Sequence, residues 1–244
     1  MTEKLLTEQA RRQEDVRANY LEITQRIAQA AGKTGRKPED ITFLAATKTV
    51  EPEIINYAIS LGLKTIGENR VQEMLSKYDA YDLEHADLQF IGHLQKNKVR
   101  QIVGKVSMIQ SVDSEKLAEE ISRQSTKNGL VTDVLVEVNI GREENKSGVL
   151  EEEIDELLAK MAGLEGIRVK GLMSVPPVCG SKQEIFKYFD KMYKIFIDNS
   201  GKKMDNISMD FLSMGMSDDY TEAILSGANM IRVGSALFGA RIYR

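Results

Sequence analysis

Residues 41–48 read ITFLAATK, a short, largely apolar run that ends in a lysine. Runs of this kind suit a strand that is buried on both faces of a parallel sheet. Pro52 then stands where a helix would begin, between Glu51 and Glu53, because proline fits the first helical turn and acidic residues favour the positive end of the helix dipole. The stretch therefore predicts a strand followed by a helix, with Lys48 in the turn between them.

The same succession recurs along the rest of the chain. Seven further apolar runs are predicted strands: Leu63–Ile66, Leu88–Ile91, Val106–Ile109, Val134–Ile140, Val169–Met173, Ile207–Leu212 and Met230–Val233. Patterns with one apolar helical face lie between most of them. A helix is also predicted for about the first thirty residues, because four apolar side chains fall on one face: Val16, Tyr20, Ile23 and Ile27.

Strands that alternate with helices indicate right-handed βαβ units and a parallel sheet. Eight such units can close into a barrel, and 244 residues suit one. We therefore predict an α/β fold, a single TIM-type (β/α)8 barrel in one domain over residues 1–244, with an extra N-terminal helix at its closed end or its flank. An open, doubly wound sheet is the alternative, although no Gly-x-Gly-x-x-Gly follows the first strand.

The composition narrows the classes of function. The chain has 33 basic and 37 acidic residues, and this balance gives no general attraction to nucleic acid or to anionic membranes. Cys179 is the only cysteine, which excludes a disulfide framework within one chain, and two histidines are too few for a histidine metal site without carboxylates. No run approaches the length of a membrane span, and no apolar signal-peptide core follows Met1. We expect a cytoplasmic protein without a bound metal.

In a parallel barrel, the functional site lies at the carboxyl ends of the strands and in the loops after them. The residues predicted at these positions are Lys48, Glu68, Asn69, His93, Asp113, Asn139, Met173, Ser174, Ser213, Gly234 and Ser235, with Arg232 just before the last two. A lysine at a strand end can simply extend to water. A lysine that is held at a partly desolvated mouth can instead lose its proton and attack an aldehyde as a neutral amine.

Glycine and serine follow the last two predicted strands. Residues 213–217 read SMGMS, and residues 232–235 read RVGS. The loops after the seventh and eighth strands of such barrels commonly bind phosphate, and glycine lets backbone N–H groups approach the anion. The alternative is a pair of ordinary tight turns, with Ser217 as the N-cap of the next helix. For Arg232, the alternatives are a ring nitrogen of a ligand and a buried ion pair with a barrel carboxylate such as Asp210.

A phosphate-binding edge and a facing lysine suit a ligand that carries both a phosphate and an aldehyde. Pyridoxal 5′-phosphate (PLP) carries both on one aromatic ring. We therefore predict a PLP site, with the cofactor bound to Lys48 as an imine.

Several blocks of the sequence resemble those of the YggS/PROSC family, the pyridoxal phosphate homeostasis proteins. The blocks are AATK at 45–48, GENRVQE at 67–73, FIGHLQKNK at 90–98, GLM at 171–173, SMGMSD at 213–218 and IRVGSALFG at 231–239. The resemblance runs nearly end to end. One departure lies at residues 88–89, which read LQ where the family often has Trp-His.

The resemblance implies a barrel like the N-terminal domain of alanine racemase, of PLP fold-type III, with PLP held as an internal aldimine on Lys48. The cofactor-binding residues it implies are Lys48, Asn69, Met173, Ser213, Arg232, Gly234 and Ser235. Among these, Ser213, Gly234 and Ser235 would contact the phosphate, and Arg232 would face the pyridine nitrogen. Asn69 and Met173 would line the ring pocket. The implied role is intracellular PLP homeostasis, as a carrier that passes the cofactor to PLP-dependent apoenzymes, with no catalytic residues.

The same residues bear on catalysis. Racemisation of an amino acid needs a base on each side of the cofactor plane, and Lys48 supplies one. The chain ends at Arg244, soon after its last predicted strand, so we expect no second domain to supply the other base, and we expect a monomer. An arginine beside the ring nitrogen also makes the ring a poorer electron sink. The alternatives are a weak PLP-dependent racemase that uses Tyr57, Tyr220 or a second lysine, and a phosphate-sugar or nucleotide barrel without an imine.

Overall fold

The computed structural model describes residues 3–239, and side chains from residue 8 to residue 239. Eight parallel strands form a closed barrel in which each strand pairs with the next and β8 pairs with β1. The strands are β1 Thr42–Ala46, β2 Thr65–Glu68, β3 Asp87–Phe90, β4 Met108–Val112, β5 Thr132–Val138, β6 Ile167–Ser174, β7 Ile207–Ser213 and β8 Met230–Val233. Leu44 pairs with Thr65 on one side and with Arg232 on the other, so β1 is not a sheet edge. The predicted barrel is confirmed, and the open sheet is wrong.

Helices follow the strands and form an outer layer. Those of the described residues are α1 Glu3–Lys33, α2 Pro52–Ser60, α3 Val71–Lys77, α4 Val99–Ile102, α5 Glu115–Lys127, α6 Ile154–Met161, α7 Lys182–Ser200, α8 Tyr220–Leu225 and α9 Ser235–Phe238. As predicted, α2 begins at Pro52. None of the helices between residues 3 and 239 is both long enough and apolar enough to cross a bilayer. Met1 and Arg244, on which the signal-peptide and second-domain expectations depend, lie outside the described residues.

The strand β2 begins two residues later than the apolar pattern predicted. Gly62 has a φ of 113°, which favours glycine, and it turns the chain at the end of α2. Leu63 is buried in the core around the barrel, but strand pairing begins only at Thr65. Because Leu63 is apolar and buried but belongs to the turn, the apolar pattern placed the start of the strand two residues too early.

Side chains alternate along the strands between two apolar clusters. The outward-facing ones, such as Ile66, Val136 and Ile231, pack against the helices in one continuous core. A smaller cluster fills the barrel interior: Met108, Leu135 and Met173, with Val175 and Phe211 packed against it. Each fully buried side chain of this size contributes about 1.5–3 kcal/mol to the free energy of folding. Nearer the carboxyl ends of the strands, the buried residues are polar: Gln110, Glu137, Ser213 and Arg232.

The N-terminal helix lies on the flank of the barrel. Helix α1 packs between α2 and α8, and it also contacts α9, which has only four residues. It therefore occupies the place of the eighth helix of the outer layer. The Asn19 side chain donates to the Leu237 carbonyl at 3.0 Å, and Arg12 pairs with Glu51 at 2.9 Å beside the mouth. Of the two positions that the sequence left open, the flank is the correct one.

Candidate functional site

An open cleft of about 470 Å³ lies at the carboxyl ends of β1, β7 and β8. Its walls include Lys48 from the turn after β1, Ser217 from the loop after β7, and Arg232, Gly234 and Ser235 from β8 and the start of α9. Cavities of about 300–1,000 Å³ are typical of sites for small molecules and cofactors. The structure thus brings an amine, a buried guanidinium and a loop with serine hydroxyls to one cleft at the predicted end of the barrel.

The structure separates the seven predicted site residues into two groups. Four of them line the cleft: Lys48, Arg232, Gly234 and Ser235. The other three are not among the residues that line it: Asn69, Met173 and Ser213. Met173 is 1% exposed and packs with Met108 and Leu135 inside the barrel. The first group can touch a ligand in the cleft directly, whereas Met173 supports the cleft from the interior.

The Ser213 hydroxyl is already engaged inside the barrel. Ser213 is fully buried, and its Oγ donates to Gln110 Oε1 at 2.7 Å. The same Oγ accepts a hydrogen bond from Arg232 Nη1 at 2.6 Å. A hydroxyl has one proton to donate, so this arrangement leaves Ser213 none for a phosphate. The predicted phosphate contact of Ser213 stays a prediction, and its described contacts join it to Arg232.

Ser217 is the serine of this segment that faces the cleft. Its Oγ accepts hydrogen bonds from the backbone N–H groups of Gly234 and Ala236, both at 3.2 Å. Its own hydroxyl proton can then be donated to an anion. The prediction of Ser217 as an N-cap is wrong, because Asp219 precedes α8 and its Oδ1 accepts from the Met216 N–H at 2.6 Å.

A glycine turn explains the position of Ser217. Gly215 has a φ of 92°, and a Cβ there would lie 2.5 Å from the Cβ of Ala223. The chain therefore turns tightly over α8 and carries Ser217 to the loop after β8. The sequence signal for Ser217 was present in the motif SMGMS, but its second serine was interpreted as a helix cap.

Arg232 is a buried cation in the wall of the cleft. Besides its bond to Ser213, its Nη2 donates to the Ser174 carbonyl at 2.9 Å. Burial lowers the pKa of Arg232 to about 10, against the opposing effect of the carboxylates of Glu137 and Asp219. Of the barrel carboxylates, Asp210 is the wrong partner, because it pairs with Lys170, and the charges of Glu137 and Asp219 act on the guanidinium instead.

Two buried polar atoms near the mouth favour a polar ligand. Asn69 Oδ1, just after β2, and Ser174 Oγ, at the end of β6, have no hydrogen-bond partner among the described residues. Buried polar atoms are nearly always paired, so unpaired ones in a native protein call for an explanation. Asn69 is also packed tightly, since a Cβ at Gly92 would lie 2.1 Å from its carbonyl oxygen. The amine of Lys48 and the hydroxyls of Ser217 and Ser235, which line the cleft, fit a ligand with several polar groups.

The two tyrosines considered as a second base lie away from the cleft. Tyr57 packs in the outer core beneath the helices, and Tyr220 of α8 is 4% exposed. Neither tyrosine lines the cleft. Within residues 3–239, no three His, Cys, Asp or Glu side chains are grouped so that they could hold a metal ion. The racemase alternative therefore has no second base from Tyr57 or Tyr220 at the cleft.

Comparison with known proteins identifies the family. Residues 49–242 match the family described as alanine racemase, N-terminal domain. The pyridoxal phosphate homeostasis protein of Aquifex aeolicus is 43% identical over 91% of this chain and 96% of its own length. This chain belongs to the pyridoxal phosphate homeostasis protein family.

Other members of the pyridoxal phosphate homeostasis protein family agree with this assignment. The protein of that name from Escherichia coli strain K12 is 35% identical over 94% of this chain and 98% of its own length. The structure of PipY from Synechococcus elongatus with PLP bound is similar to this one, with a TM-score of 0.76 and 29% identity over 87% of this chain and all of PipY. The resemblance found in the sequence motifs is confirmed.

Proposed function

We propose that this chain binds PLP in the cleft and serves in intracellular PLP homeostasis as a carrier of the cofactor. The observation that carries the proposal is the shared cleft, in which Lys48 meets Ser217 and the Gly234–Ser235 loop. The names of its relatives and the PLP-bound structure of PipY support it.

In this proposal, each wall of the cleft binds one part of the ligand. The Lys48 amine bonds to the aldehyde carbon, and the aldehyde oxygen leaves as water. Ser217 and Ser235 bind the phosphate through hydroxyl and backbone N–H groups, Gly234 holds Ser217 at the phosphate through its N–H, and Arg232 faces the ring nitrogen. Asn69 and Met173 contribute to the ring pocket, and Ser213 supports the Arg232 guanidinium.

The carrier role is favoured over racemisation by the positions of the bases. Lys48 supplies a base on one side of the ligand, and neither Tyr57 nor Tyr220 lines the cleft to supply a second one. The partners that we propose for this chain are PLP-dependent apoenzymes, which would receive the cofactor. A cytoplasmic location is supported by the presence of a single cysteine, Cys179. We also propose a monomer, which sedimentation velocity can test.

Borohydride reduction of the PLP-loaded protein, followed by peptide mass mapping, tests the proposal. We expect the pyridoxyl group on Lys48, and we expect none in Lys48→Ala. Lys116→Ala, which removes an exposed lysine of α5, is the control and should be labelled like the wild type. Labelling spread over several surface lysines, with none on Lys48, would refute the proposal.

Proton exchange separates the carrier from the racemase. A carrier loaded with PLP should exchange the α-proton of alanine in deuterated water no faster than free PLP does. Rapid exchange, abolished in Lys48→Ala, would favour the racemase.

A further inference from the structure

A charged network, largely shielded from solvent, lies beside the turn that carries Lys48. The ammonium of Lys77 on α3 donates to the Thr47 carbonyl at 3.2 Å, to Glu68 Oε1 at 3.2 Å and to Glu73 Oε1 at 2.6 Å. The Glu68 side chain is fully buried, and that of Lys77 is 13% exposed. Apolar side chains can often replace a buried ion pair without loss of stability, so stability alone does not account for the network.

Both chain neighbours of Lys48 are bound to this network. Thr47 Oγ1 donates to Glu68 Oε1 at 2.8 Å, and Tyr81 donates to the same oxygen at 2.7 Å. On the other side, the backbone N–H of Thr49 donates to Glu73 Oε1, the atom that also binds Lys77. The turn is therefore fixed immediately before and immediately after Lys48.

The backbone of Thr49 needs this support. Its φ is 64°, in the left-handed region that residues other than glycine rarely adopt, because Cβ crowds the following carbonyl. Strained conformations persist where the surrounding structure fixes them. The bond from Thr49 to Glu73 supplies that constraint, so its loss would let the turn relax and move Lys48.

We propose that Glu73 and Lys77 are positioning residues that hold the Lys48 amine at the cleft for bond formation with the aldehyde of a bound ligand. This inference rests on the proposed PLP function. Neither residue lines the cleft, so they act on the ligand only through the Lys48 turn. Loss of orientation slows bond formation, whereas the phosphate and ring contacts stay in place. The expected signature is a slower covalent step with unchanged non-covalent affinity.

The test compares Glu73→Ala and Glu73→Gln with the wild type. The rate of bond formation is followed by absorbance after mixing with PLP. The non-covalent affinity is measured with 4-deoxypyridoxine 5′-phosphate, which has the ring and the phosphate but no aldehyde. Glu156→Ala is the matched control, because it breaks an exposed pair with Lys160 at 2.9 Å and the same i,i+4 spacing, far along the chain on α6.

We expect Glu73→Ala to form the lysine bond about 10- to 100-fold more slowly than the wild type. Its affinity for the deoxy analogue should equal that of the wild type. Glu73→Gln keeps an oxygen for the Thr49 N–H and should recover most of the rate, and Glu156→Ala should react like the wild type. Lys77→Met, which removes the bond to the Thr47 carbonyl, is the second variant and should show the same separation of rate from affinity.

Two results would overturn the inference. One is a bond-forming rate in Glu73→Ala and Lys77→Met equal to that of the wild type. The other is a parallel loss of rate and analogue affinity, which would show general disruption of the cleft. Failure of the proposed function is distinguishable, because the wild type itself would then form no bond at Lys48.

Discussion

Arg232 and Ser213 are joined inside the barrel by a hydrogen bond of 2.6 Å from the guanidinium Nη1 to the hydroxyl Oγ. The hydroxyl donates in turn to Gln110, which donates to Gln89 Oε1 at 2.6 Å. This chain of buried bonds links four strands, β8, β7, β4 and β3, and fixes the orientation of the guanidinium in the wall of the cleft. Ser213 therefore affects the site through Arg232.

Replacing Ser213 by alanine should reduce stability. The change leaves Gln110 and Arg232 each short of a buried partner, which should lower the free energy of unfolding by about 1–3 kcal/mol. Urea denaturation followed by circular dichroism measures it. Ser200→Ala, at the exposed end of α7, is the control and should change stability by no more than about 0.5 kcal/mol. A Ser213→Ala protein of normal stability that no longer binds phosphate ligands would instead indicate a direct phosphate contact.

Replacing Ser217 by alanine should weaken phosphate binding. Loss of one hydrogen bond to a charged group costs about 1.5 kcal/mol, so the affinity for 4-deoxypyridoxine 5′-phosphate should fall about tenfold. Fluorescence titration measures this affinity, and competition by inorganic phosphate tests whether the lost contact is to the phosphate. Unchanged affinity in Ser217→Ala would remove this serine from the proposed site.

Replacing Gly92 by alanine should disturb the mouth. The new Cβ would lie 2.1 Å from the Asn69 carbonyl oxygen, so the backbone must shift, at a cost of about 1–3 kcal/mol in stability. Thermal denaturation and ligand titration should both report the change. In Gly32→Ala, the new Cβ meets no atom within 4 Å, and this control should be stabilised by about 0.5–1 kcal/mol. Equal stabilities of the two variants would contradict the predicted clash.

Glu137 should make stability depend on pH. Burial raises its pKa above the usual 4.5, as does the charge of Asp113, against the opposing Ser147 hydroxyl bond and Arg232. A carboxyl whose pKa is raised on folding stabilises the protein below pH 4.5, and this contribution is lost as the pH rises through the folded-state pKa. Glu137→Gln should therefore gain stability relative to the wild type between pH 4.5 and pH 7. Urea denaturation at several pH values measures the free energy of unfolding of both proteins. A difference between them that stays constant with pH would contradict the raised pKa of Glu137.

The sequence predicted the barrel because its strands are short apolar runs separated by turns and helices. Each of the eight predicted runs overlaps an observed strand. The sequence alone could not place α1, because helices α8 and α9, which cover it, lie far along the chain. An apolar helical face shows that a partner exists without showing which one it is.

For the candidate site, the sequence predicts which kinds of side chain are present better than it predicts where each one lies. Lys48, Arg232, Gly234 and Ser235 follow from their place at strand ends. Ser213 and Ser217 could not be distinguished in that way, since both are serines of one short motif. The difference depends on the depth of Ser213 within β7 and on the turn at Gly215, and both are properties of the closed barrel.

The bond between Asn19 and the Leu237 carbonyl joins residues 218 positions apart. Helix α1 is synthesised long before α8 and α9, because these two helices lie far along the chain. Until they emerge, only α2 of its three neighbouring helices is available to cover its apolar face. The rest of this apolar face is covered only once α8 and α9 are made, and the barrel can close only after β8 emerges to pair with β1.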